Sequence, residues 1–441
     1  MTRITVLGTG YLGATHAACM AELGNDVLGV DSDPGKISSL RRAETPFFEP
    51  GLHDLVAKHV ASGRLRFTQS MEEAAAFGDI HFLCVGTPQL ESGHGTDMRF
   101  VDGVVDEIGP YLHRPALFVG KSTVPVGTAE RLTERLTRLA PAGAAVEVAW
   151  NPEFLREGHA VADTLRPDRI VIGVASETAE QKLRALYAPL ADAGVPFVVT
   201  DFATAELVKV AANAFLSTKI SFINATAEVC EAAGADVYQL ASALSYDPRI
   251  GGNFLSPGIG FGGGCLPKDL RAFVARADEL GVGQALRFLK DMDAINNRSR
   301  KRMVDLARRE CGDDFSGKRV AVWGAAFKPD SDDVRDSPAL SVAEAIRAEG
   351  GRVTVYDPQA NDNARKAHPE LYYADDALDA AAEADVLLHA TEWNEFRTID
   401  PHSVGAVIGS RRVVDGRGSL DEDRWRAAGW TYRALGKPRI G

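Results

Sequence analysis

One cysteine of the chain stands in a local sequence that could make its thiol reactive. Cys265 follows three glycines at 262–264, and Pro267 suits the first position of a helix that the periodic segment 270–276 continues. The N–H groups of that helix N-terminus would point toward the thiol and favour the thiolate. The glycines would let the backbone approach a ligand closely. The alternative is a glycine-rich turn around a buried, inert cysteine.

Two other segments carry groups that a reactive thiol would need. The segment 151–158, Asn-Pro-Glu-Phe-Leu-Arg-Glu-Gly, leaves a predicted strand, and ligands of α/β proteins bind at such strand ends. Lys209 and Asn213 lie one helical turn apart and therefore on one helix face. Taken singly, each of these residues would more often be an ordinary surface residue.

Together these groups suggest the oxidation of an aldehyde. An aldehyde has no hydride-donating alcohol until a nucleophile adds, and a thiol gives a thiohemiacetal that can pass hydride to an acceptor. The resulting thioester is hydrolysed by water, so the site needs a base, a cation and a water. The transfer of one hydride from an alcohol needs no thiol.

The N-terminal segment predicts a strand, a glycine turn and a helix. The apolar run 4–7 leads into Gly8-Thr9-Gly10-Tyr11-Leu12-Gly13, and a small-residue helix follows over 14–23. Gly8 permits the tight turn, Gly10 lets a pyrophosphate lie against the backbone, and Gly13 lets the helix pack on the strand. The motif alone is weak evidence for a dinucleotide.

An acidic residue after the second strand strengthens that interpretation. Asp31 ends the strand 26–30 at about the 20-residue offset where a carboxylate accepts the ribose hydroxyls. Its charge would repel a 2′-phosphate, so NAD is favoured over NADP. Lys36 follows at the start of the next helix, where a solvated surface lysine is the simpler interpretation.

The composition indicates an acidic protein of two or three domains. The chain has 441 residues and a formal net charge of −12, which disfavours a nucleic acid or an anionic membrane as the partner. The five cysteines contain no CxxC pair, so neither disulfides nor a metal site is expected. With no leader-like segment after Met1 and no apolar run of membrane-spanning length, we expect a cytoplasmic protein.

Short apolar strands alternate with helical stretches over the first 200 residues, as in a doubly wound α/β fold. After the first two, the predicted strands are 80–85, 116–120, 146–150, 169–173 and 196–200. From Ala203 the pattern becomes an alanine-rich helical run, with further helices to about Arg309. This region predicts a helical connection between two lobes.

The C-terminal part repeats the order of the first lobe, with predicted strands at 320–324, 353–357 and 384–389. Asp357 corresponds to Asp31, but the turn Gly324-Ala325-Ala326-Phe327-Lys328-Pro329 lacks GxGxxG and offers Lys328 as a point charge. Another kind of nucleotide could bind there, or the lobe could be purely architectural. The predicted fold is therefore α/β, with two Rossmann-like doubly wound lobes joined by a long central helical segment. The predicted domains are 1–200, 201–309 and 310–441.

Seven motifs in order resemble the UDP-glucose dehydrogenase branch of the nucleotide-sugar dehydrogenases over essentially the whole length. They are Gly8 to Gly13, Val85-Gly86-Thr87-Pro88, Ser122 to Thr128, Asn151 to Gly158, Lys209 with Asn213, Gly260 to Asp269, and Phe327-Lys328-Pro329-Asp330 with Val334-Arg335-Asp336-Ser337-Pro338. The resemblance implies an NAD-binding lobe, a central helix that forms a homodimer interface, and a C-terminal lobe that holds the nucleotide of the sugar.

The resemblance also implies a mechanism. Cys265 would be the nucleophile in a four-electron oxidation of the sugar C6 alcohol to a carboxylate by two NAD in succession. Lys209 and Asn213 would stabilise the reacting oxygen.

The same resemblance gives four further residues roles around the water. Thr123 and Glu153 would position it, Glu157 would assist thioester hydrolysis, and Asp269 would hold the water and lysine network.

The resemblance assigns the ligand contacts as follows. The NAD contacts would be Gly8, Gly10, Tyr11, Leu12, Gly13, Asp31, Lys36, Thr87, Thr123, Glu157 and Arg335. The nucleotide-sugar contacts would be Glu153, Phe154, Leu155, Arg156, Glu157, Lys209, Asn213, Phe254, Leu255, Ser256, Pro257, Gly258, Gly262 and Lys328, with Arg249 reaching the sugar of the neighbouring subunit.

The identity of the sugar rests on smaller differences. Gly264 and Leu266 depart from the family pattern Gly-Gly-Ser-Cys-Phe-Pro-Lys-Asp, and leucine there also resembles GDP-mannose dehydrogenases. The segment Asp247-Pro248-Arg249-Ile250-Gly251 resembles the UDP-glucose branch. UDP-glucose therefore ranks first and GDP-mannose second. A nucleotide-sugar or NAD binding protein without turnover is the alternative of another class.

Overall fold

The computed structural model describes residues 2–91 and 93–438. The chain divides into two compact units between residues 212 and 213, inside one long helix, α10 (Phe202–Ala233). The helical run predicted from Ala203 is thus confirmed, whereas the division into three domains remains a prediction. Among the described residues, no helix combines the length and the apolar character needed to cross a membrane.

The first unit alternates strands with helices. Its strands are β1 (Arg3–Leu7), β2 (Asp26–Val30), β3 (Leu65–Thr68), β4 (Ile80–Leu83), β5 (Ala116–Gly120), β6 (Val146–Trp150), β7 (Ile170–Val174) and β8 (Phe197–Thr200). Its helices before α10 are α1 (Tyr11–Glu22), α2 (Pro34–Arg41), α3 (Leu52–Ala61), α4 (Met71–Phe77), α5 (Arg99–Ile108), α6 (Thr128–Leu139), α7 (Ala160–Leu165), α8 (Glu177–Leu186) and α9 (Ala188–Asp192), with 3₁₀ turns at Gly109–Tyr111 and Gly143–Ala145.

The eight strands form one sheet in the order β3-β2-β1-β4-β5-β6-β7-β8. All neighbours are parallel except β6 and β7, which run antiparallel. The first six strands have the order 3-2-1-4-5-6 of a doubly wound dinucleotide-binding fold. Every residue of β4 and β5 is buried, as expected where helices cover both faces of a parallel sheet.

The second unit repeats this plan after a helical start. Its helices are α11 (Val237–Ser245), α12 (Leu266–Glu279), α13 (Arg287–Glu310), α14 (Pro338–Ala348), α15 (Asn361–Ala367), α16 (Ala377–Ala381), α17 (Asn394–Thr398), α18 (Pro401–Val407) and α19 (Glu422–Ala427), with a 3₁₀ turn at Gly283–Leu286. Its strands are β9 (Arg319–Trp323), β10 (Arg352–Tyr356), β11 (Tyr372–Tyr373), β12 (Val386–His389), β13 (Arg412–Asp415) and β14 (Thr431–Ala434), all parallel in the order β11-β10-β9-β12-β13-β14. The predicted pair of doubly wound lobes is confirmed.

Asp357 closes the first turn of the second sheet. Its carboxylate is 2% exposed and accepts hydrogen bonds from the backbone N–H groups of Ala325 (2.8 Å) and Ala326 (2.9 Å) and from the indole of Trp393 (3.0 Å). The N–H groups of Gln359 and Ala360 donate to its other oxygen. Asp357, which corresponds to Asp31, therefore uses both carboxylate oxygens in hydrogen bonds within the second unit.

Replacing this carboxylate should destabilise the second unit. Asp357→Ala leaves five donors without their acceptor, so we expect the free energy of unfolding to fall by at least about 3 kcal/mol. Denaturant unfolding measures the change, and Asp362→Ala, which removes an exposed carboxylate of α15, should leave the midpoint in place. Equal midpoints for the two variants would contradict the assigned role of Asp357.

Candidate active site

Cys265 differs from the other cysteines in its exposure. Its side chain is exposed, whereas Cys19, Cys84, Cys230 and Cys311 are buried. Burial raises the pKa of Cys19 and of Cys84 to about 12 and the pKa of Cys311 to about 11. These three thiols stay protonated at neutral pH, and the accessible thiol of the chain is Cys265.

The exposed thiol lies at a helix N-terminus, as the sequence predicts. Cys265 is the N-cap residue of α12, no described residue makes a side-chain capping hydrogen bond at this end, and Asp269 N–H donates to the Cys265 carbonyl at 2.9 Å. Pro267 occupies the second helical position rather than the predicted first, because the helix already begins at Leu266. The helix N–H groups nevertheless surround the backbone of Cys265, where they favour a negative charge.

The glycine run before Cys265 admits another part of the chain. A Cβ at Gly262 would overlap the carbonyl oxygen of Asp336, a Cβ at Gly263 would lie 2.8 Å from the ring of Phe327, and a Cβ at Gly264 would overlap the guanidinium of Arg335. These positions lack side chains because the loop 327–338 packs against them. The glycines thus admit this loop, and their close approach to a ligand stays a prediction.

Hydrogen bonds from α13 and from the end of β13 fix the start of this thiol loop, residues 260–265. Asn296 is fully buried and pairs twice with the backbone of Phe261, at 2.8 and 3.0 Å. Arg300 also donates to the Phe261 carbonyl at 2.9 Å. The guanidinium of Arg417 donates to the carbonyls of Gly260 and Phe327, both at 3.0 Å. The sequence analysis did not identify these three side chains.

Asp269 and Asn213 meet on the buried side of α12. Asn213 Nδ2 donates to Asp269 Oδ2 at 2.7 Å, and Lys268 Nζ lies 2.6 Å from Asp269 Oδ1. Asp269 is 1% exposed. The predicted role of Asp269 in a network of water and lysine stays a prediction.

In the first unit, Lys209 pairs with Glu153. Lys209 Nζ lies 2.8 Å from Glu153 Oε1, and both side chains are nearly buried. Glu153 Oε2 accepts from the N–H of Leu155 at 2.9 Å, which holds the carboxylate in place. Two cations lie over the ring of Phe154: the guanidinium carbon of Arg169 is 3.9 Å from the ring centroid, and Lys209 Nζ is 5.8 Å from it. The sequence names both members of this ion pair without predicting that they meet.

Lys121 is a buried cation at the end of β5 that the sequence analysis did not identify. It is 8% exposed, and its ammonium donates to Asn151 Oδ1 at 3.0 Å. The hydroxyl of Tyr187 donates to the same oxygen at 2.7 Å. Burial lowers the pKa of Lys121 to about 8, against the opposing charge of Glu153. Its place directly after a central strand was the available signal.

The first turn of the first sheet has the features of a dinucleotide site. Gly8 has a φ of 90° and a Cβ at Gly13 would overlap the Gly8 carbonyl, so the turn and the helix contact both need glycine. A Cβ at Gly10 would meet nothing within 4 Å. Within the described part of the chain, no side-chain capping hydrogen bond is made at the N-terminus of α1. Uncapped N–H groups beside open space fit a pyrophosphate.

Asp31 lies at the ribose position of such a site. Its Oδ2 accepts from the N–H of Thr9 and from Lys36 Nζ, both at 2.8 Å. Burial alone would raise the pKa of Asp31, but the bond from Lys36 and the backbone bonds from Thr9 and Asp33 outweigh it and lower this pKa. Asp31 is therefore a carboxylate at neutral pH and can accept hydrogen bonds from hydroxyl groups.

Glu49 joins the dinucleotide turn to the segment that carries Glu157, another connection that sequence reasoning missed. The buried carboxylate accepts from the hydroxyl of Tyr11 and from the N–H groups of Gly158 and Ala160, the last two at 2.7 Å. Burial and the bond to Glu49 raise the pKa of Tyr11 above its ordinary value. A glutamate in an irregular loop gave no periodic signal.

The other predicted residues have these partners. The hydroxyl of Thr87 donates to the carbonyl of Thr123 at 2.8 Å. Arg156, Arg249 and Arg335 each pair with a nearby aspartate, namely Asp163, Asp247 and Asp333.

The loop 254–258, which carries predicted nucleotide-sugar contacts, is held against α10. Leu255 is buried, and the N–H of Gly258 donates to Asn224 Oδ1 at 2.8 Å. Phe254 has a φ of 61°, so the loop turns sharply at that residue. Lys328 Nζ lies 5.6 Å from the centroid of the Phe327 ring.

Comparison with known proteins gives the same family over three successive regions. Residues 2–191 match the NAD binding domain of the UDP-glucose/GDP-mannose dehydrogenase family, residues 203–298 match its central domain, and residues 321–422 match its UDP binding domain.

The relatives are similar over their whole lengths. The chain is 43% identical to a UDP-glucose 6-dehydrogenase of Rhizobium meliloti, covering 99% of this chain and 100% of the relative. It is 39% identical to a UDP-glucose 6-dehydrogenase of Pseudomonas aeruginosa, covering 100% and 98%. A solved UDP-glucose dehydrogenase from Pyrobaculum islandicum matches with a TM-score of 0.91 and 36% identity, covering 99% and 98% of the two chains. The chain therefore belongs to the UDP-glucose/GDP-mannose dehydrogenase family.

Proposed function

We propose that this chain is an NAD-dependent UDP-glucose 6-dehydrogenase that oxidises C6 of the sugar from alcohol to carboxylate. The observation that carries the proposal is the exposed Cys265 at an uncapped helix N-terminus in a chain whose other thiols are buried. An alcohol dehydrogenase that stops at the aldehyde has no use for such a thiol. The similarity to UDP-glucose enzymes over full length favours UDP-glucose over GDP-mannose.

The first oxidation turns the C6 alcohol into an aldehyde. Bound NAD supplies the hydride acceptor in each of the two oxidations. The ammonium of Lys209 and the amide of Asn213, four residues apart on α10, stabilise the negative charge that develops on O6 as its proton leaves. Thr123 and Glu153 position the water that takes this proton.

The second oxidation begins on the thiol. The sulfur of Cys265 adds to C6, the carbonyl electron pair moves to O6, and a thiohemiacetal forms. As this oxygen returns its electron pair to C6, the C6 hydride departs and a thioester remains on Cys265. The N-terminus of α12 lowers the cost of forming the attacking thiolate.

Hydrolysis then releases the product. Water adds to the thioester carbonyl, the C6–S bond breaks with its electron pair going to Cys265, and the sugar leaves as a carboxylate. Glu157 takes the proton of the attacking water, and Asp269, held by Asn213 and Lys268, keeps the polar network in place.

NAD fits the first turn and the nucleotide of the sugar fits the second unit. Gly10 and the uncapped α1 suit the pyrophosphate, and Asp31 suits the ribose hydroxyls. In the second unit Asp357 already saturates the corresponding turn, so a second dinucleotide has no ribose acceptor there. Lys328 supplies a charge for the diphosphate of the sugar nucleotide.

The assembly is a homodimer through α10. Phe215, Phe222 and Val229 recur every seven residues on this helix and are 65, 53 and 65% exposed. Large apolar side chains in a continuous stripe are typical of a surface that a partner covers. If the stripes of two copies of the chain packed against each other, the apolar side chains of both stripes would be buried. The need for NAD and for a reduced thiol favours the cytoplasm.

Product stoichiometry tests the role of Cys265. With excess NAD, the enzyme should form two NADH per UDP-glucose, and Cys265→Ser should abolish this steady-state production because serine cannot form the thioester. Calorimetry should still detect UDP-glucose binding to that variant. Cys311→Ala, which removes a buried thiol, should keep its turnover. A yield of one NADH per sugar, or full activity of Cys265→Ser, would refute the thioester mechanism. Turnover with GDP-mannose and not with UDP-glucose would show that the substrate is GDP-mannose.

Cofactor preference tests Asp31. Removing the ribose acceptor in Asp31→Ala should weaken NAD binding by about 10- to 100-fold, while NADP, whose 2′-phosphate the carboxylate repels, should weaken less or improve. Asp31→Asn keeps the shape of the side chain and should give a smaller loss. Calorimetric titration with both cofactors measures the ratio of the NAD and NADP affinities. An unaltered ratio in Asp31→Ala would rule out the role of Asp31 as the ribose acceptor.

The mass in solution tests the α10 interface. Phe215→Glu combined with Phe222→Glu places charges on both faces of the contact and should yield monomers in light scattering after size-exclusion chromatography. Tyr372→Glu, at an exposed tyrosine of β11, is the matched control and should remain dimeric. A double variant that stays dimeric would place the interface elsewhere.

A further inference from the structure

The guanidinium of Arg335 lies against the residue that precedes the reactive thiol. A Cβ built on Gly264 would be 2.7 Å from Nη2 and closer still to Nη1 and Cζ, distances at which real side chains essentially never meet. Gly264 has an ordinary negative φ, so its lack of a side chain serves this contact and not the backbone conformation. Consecutive Cα atoms are about 3.8 Å apart, which keeps the charge within several ångströms of Cys265.

Two anchors hold the guanidinium there. The N–H of Gly263 donates to the carbonyl of Arg335 at 2.9 Å, which ties the two loops together. Asp333 accepts from Nε at 2.9 Å and from Nη2 at 2.7 Å, and it is 12% exposed while Arg335 is 62% exposed. The guanidinium is thus oriented by Asp333, and the arginine side chain is more than half exposed.

We propose that Arg335 is a positioning residue for the thiol, stabilising the Cys265 thiolate from the loop that Gly264 admits. This role rests on the proposed use of Cys265 as the nucleophile and adds to the NAD contact implied for Arg335 by resemblance. It also gives Gly264 a function of its own.

Other charged residues lie on α12 and on the loop 327–338, where Lys328 Nζ is 5.6 Å from the centroid of the Phe327 ring. On α12 itself, Lys268 and Asp269 neutralise one another at 2.6 Å, and Asn213 of α10 satisfies the second carboxylate oxygen. On the loop 327–338, Asp333 offsets part of the Arg335 charge, and Asp336 is paired with Arg300 at 2.7 Å. Arg335 is the cation of this loop whose position depends on residue 264.

The pH dependence of thiol alkylation tests the proposal without substrate or cofactor. Iodoacetamide should modify Cys265 in the folded protein, because the other thiols are buried, and the rate should follow the thiolate fraction. Two variants should each raise the pH midpoint of the alkylation rate by about half a pH unit. Gly264→Ala displaces the guanidinium, and Arg335→Gln removes its charge. Asp333→Asn should lower it, because the opposing charge is lost.

Controls separate this role from a structural one. Arg99 forms the same two-residue pair with Asp97, so Arg99→Gln makes the same change of net charge and should leave the midpoint in place. The double variant Gly264→Ala with Arg335→Gln should shift no further than Arg335→Gln alone, because both remove one interaction. Unchanged alkylation midpoints in both single variants, or additive shifts in the double variant, would overturn the proposal. An enzyme that shows no turnover although its Cys265 titrates as expected would instead count against the proposed function.

Discussion

The position of the thiol depends on the contact between the glycine run at 262–264 and the loop 327–338. Three consecutive residues without side chains let a carbonyl, an aromatic ring and a guanidinium come within van der Waals distance of the backbone. Asn296 and Arg417 fix the two residues before this run, Phe261 and Gly260. Cys265 can therefore be exposed and still be held in one place, because its backbone is packed although its side chain is not.

The two sheets share a carboxylate that closes the first turn. In each, an aspartate follows the second strand and accepts from the turn after the first strand. The two oxygens of Asp357 accept from five donors of the fold. The two oxygens of Asp31 accept from the N–H and hydroxyl of Thr9, the N–H of Asp33 and the ammonium of Lys36, and its side chain is 10% exposed. One topology thus yields an aspartate-closed turn in both lobes, and in the first lobe one of the donors is a lysine.

The sequence predicted the α/β plan and both doubly wound lobes, because buried parallel strands read as apolar runs. It missed β3, β11 and β14, which are edge strands of mixed polarity, and the short β13. The site residues predicted by resemblance include Lys209 and Glu153, but their ion pair could not be predicted, since they are far apart in sequence and meet only through tertiary packing. Arg417 was missed for the same reason, whereas Glu49 lies in an irregular loop without a periodic pattern, and the position of Lys121 directly after a central strand was a signal that was not used. Nothing in the local sequence indicates that the loop 327–338 packs beside the glycine run.

The buried ammonium of Lys121 destabilises the first unit at neutral pH. A lysine whose pKa falls from 10.5 to about 8 is held in its charged form at a cost of about 3 kcal/mol relative to the unfolded chain. Between about pH 8 and 10.5 the unfolded state binds the extra proton, so this penalty shrinks as the solution becomes more alkaline. The burial of Lys121 at the end of β5 therefore lowers the free energy of unfolding of this unit near neutral pH, and this loss diminishes as the pH rises from about 8 toward 10.5.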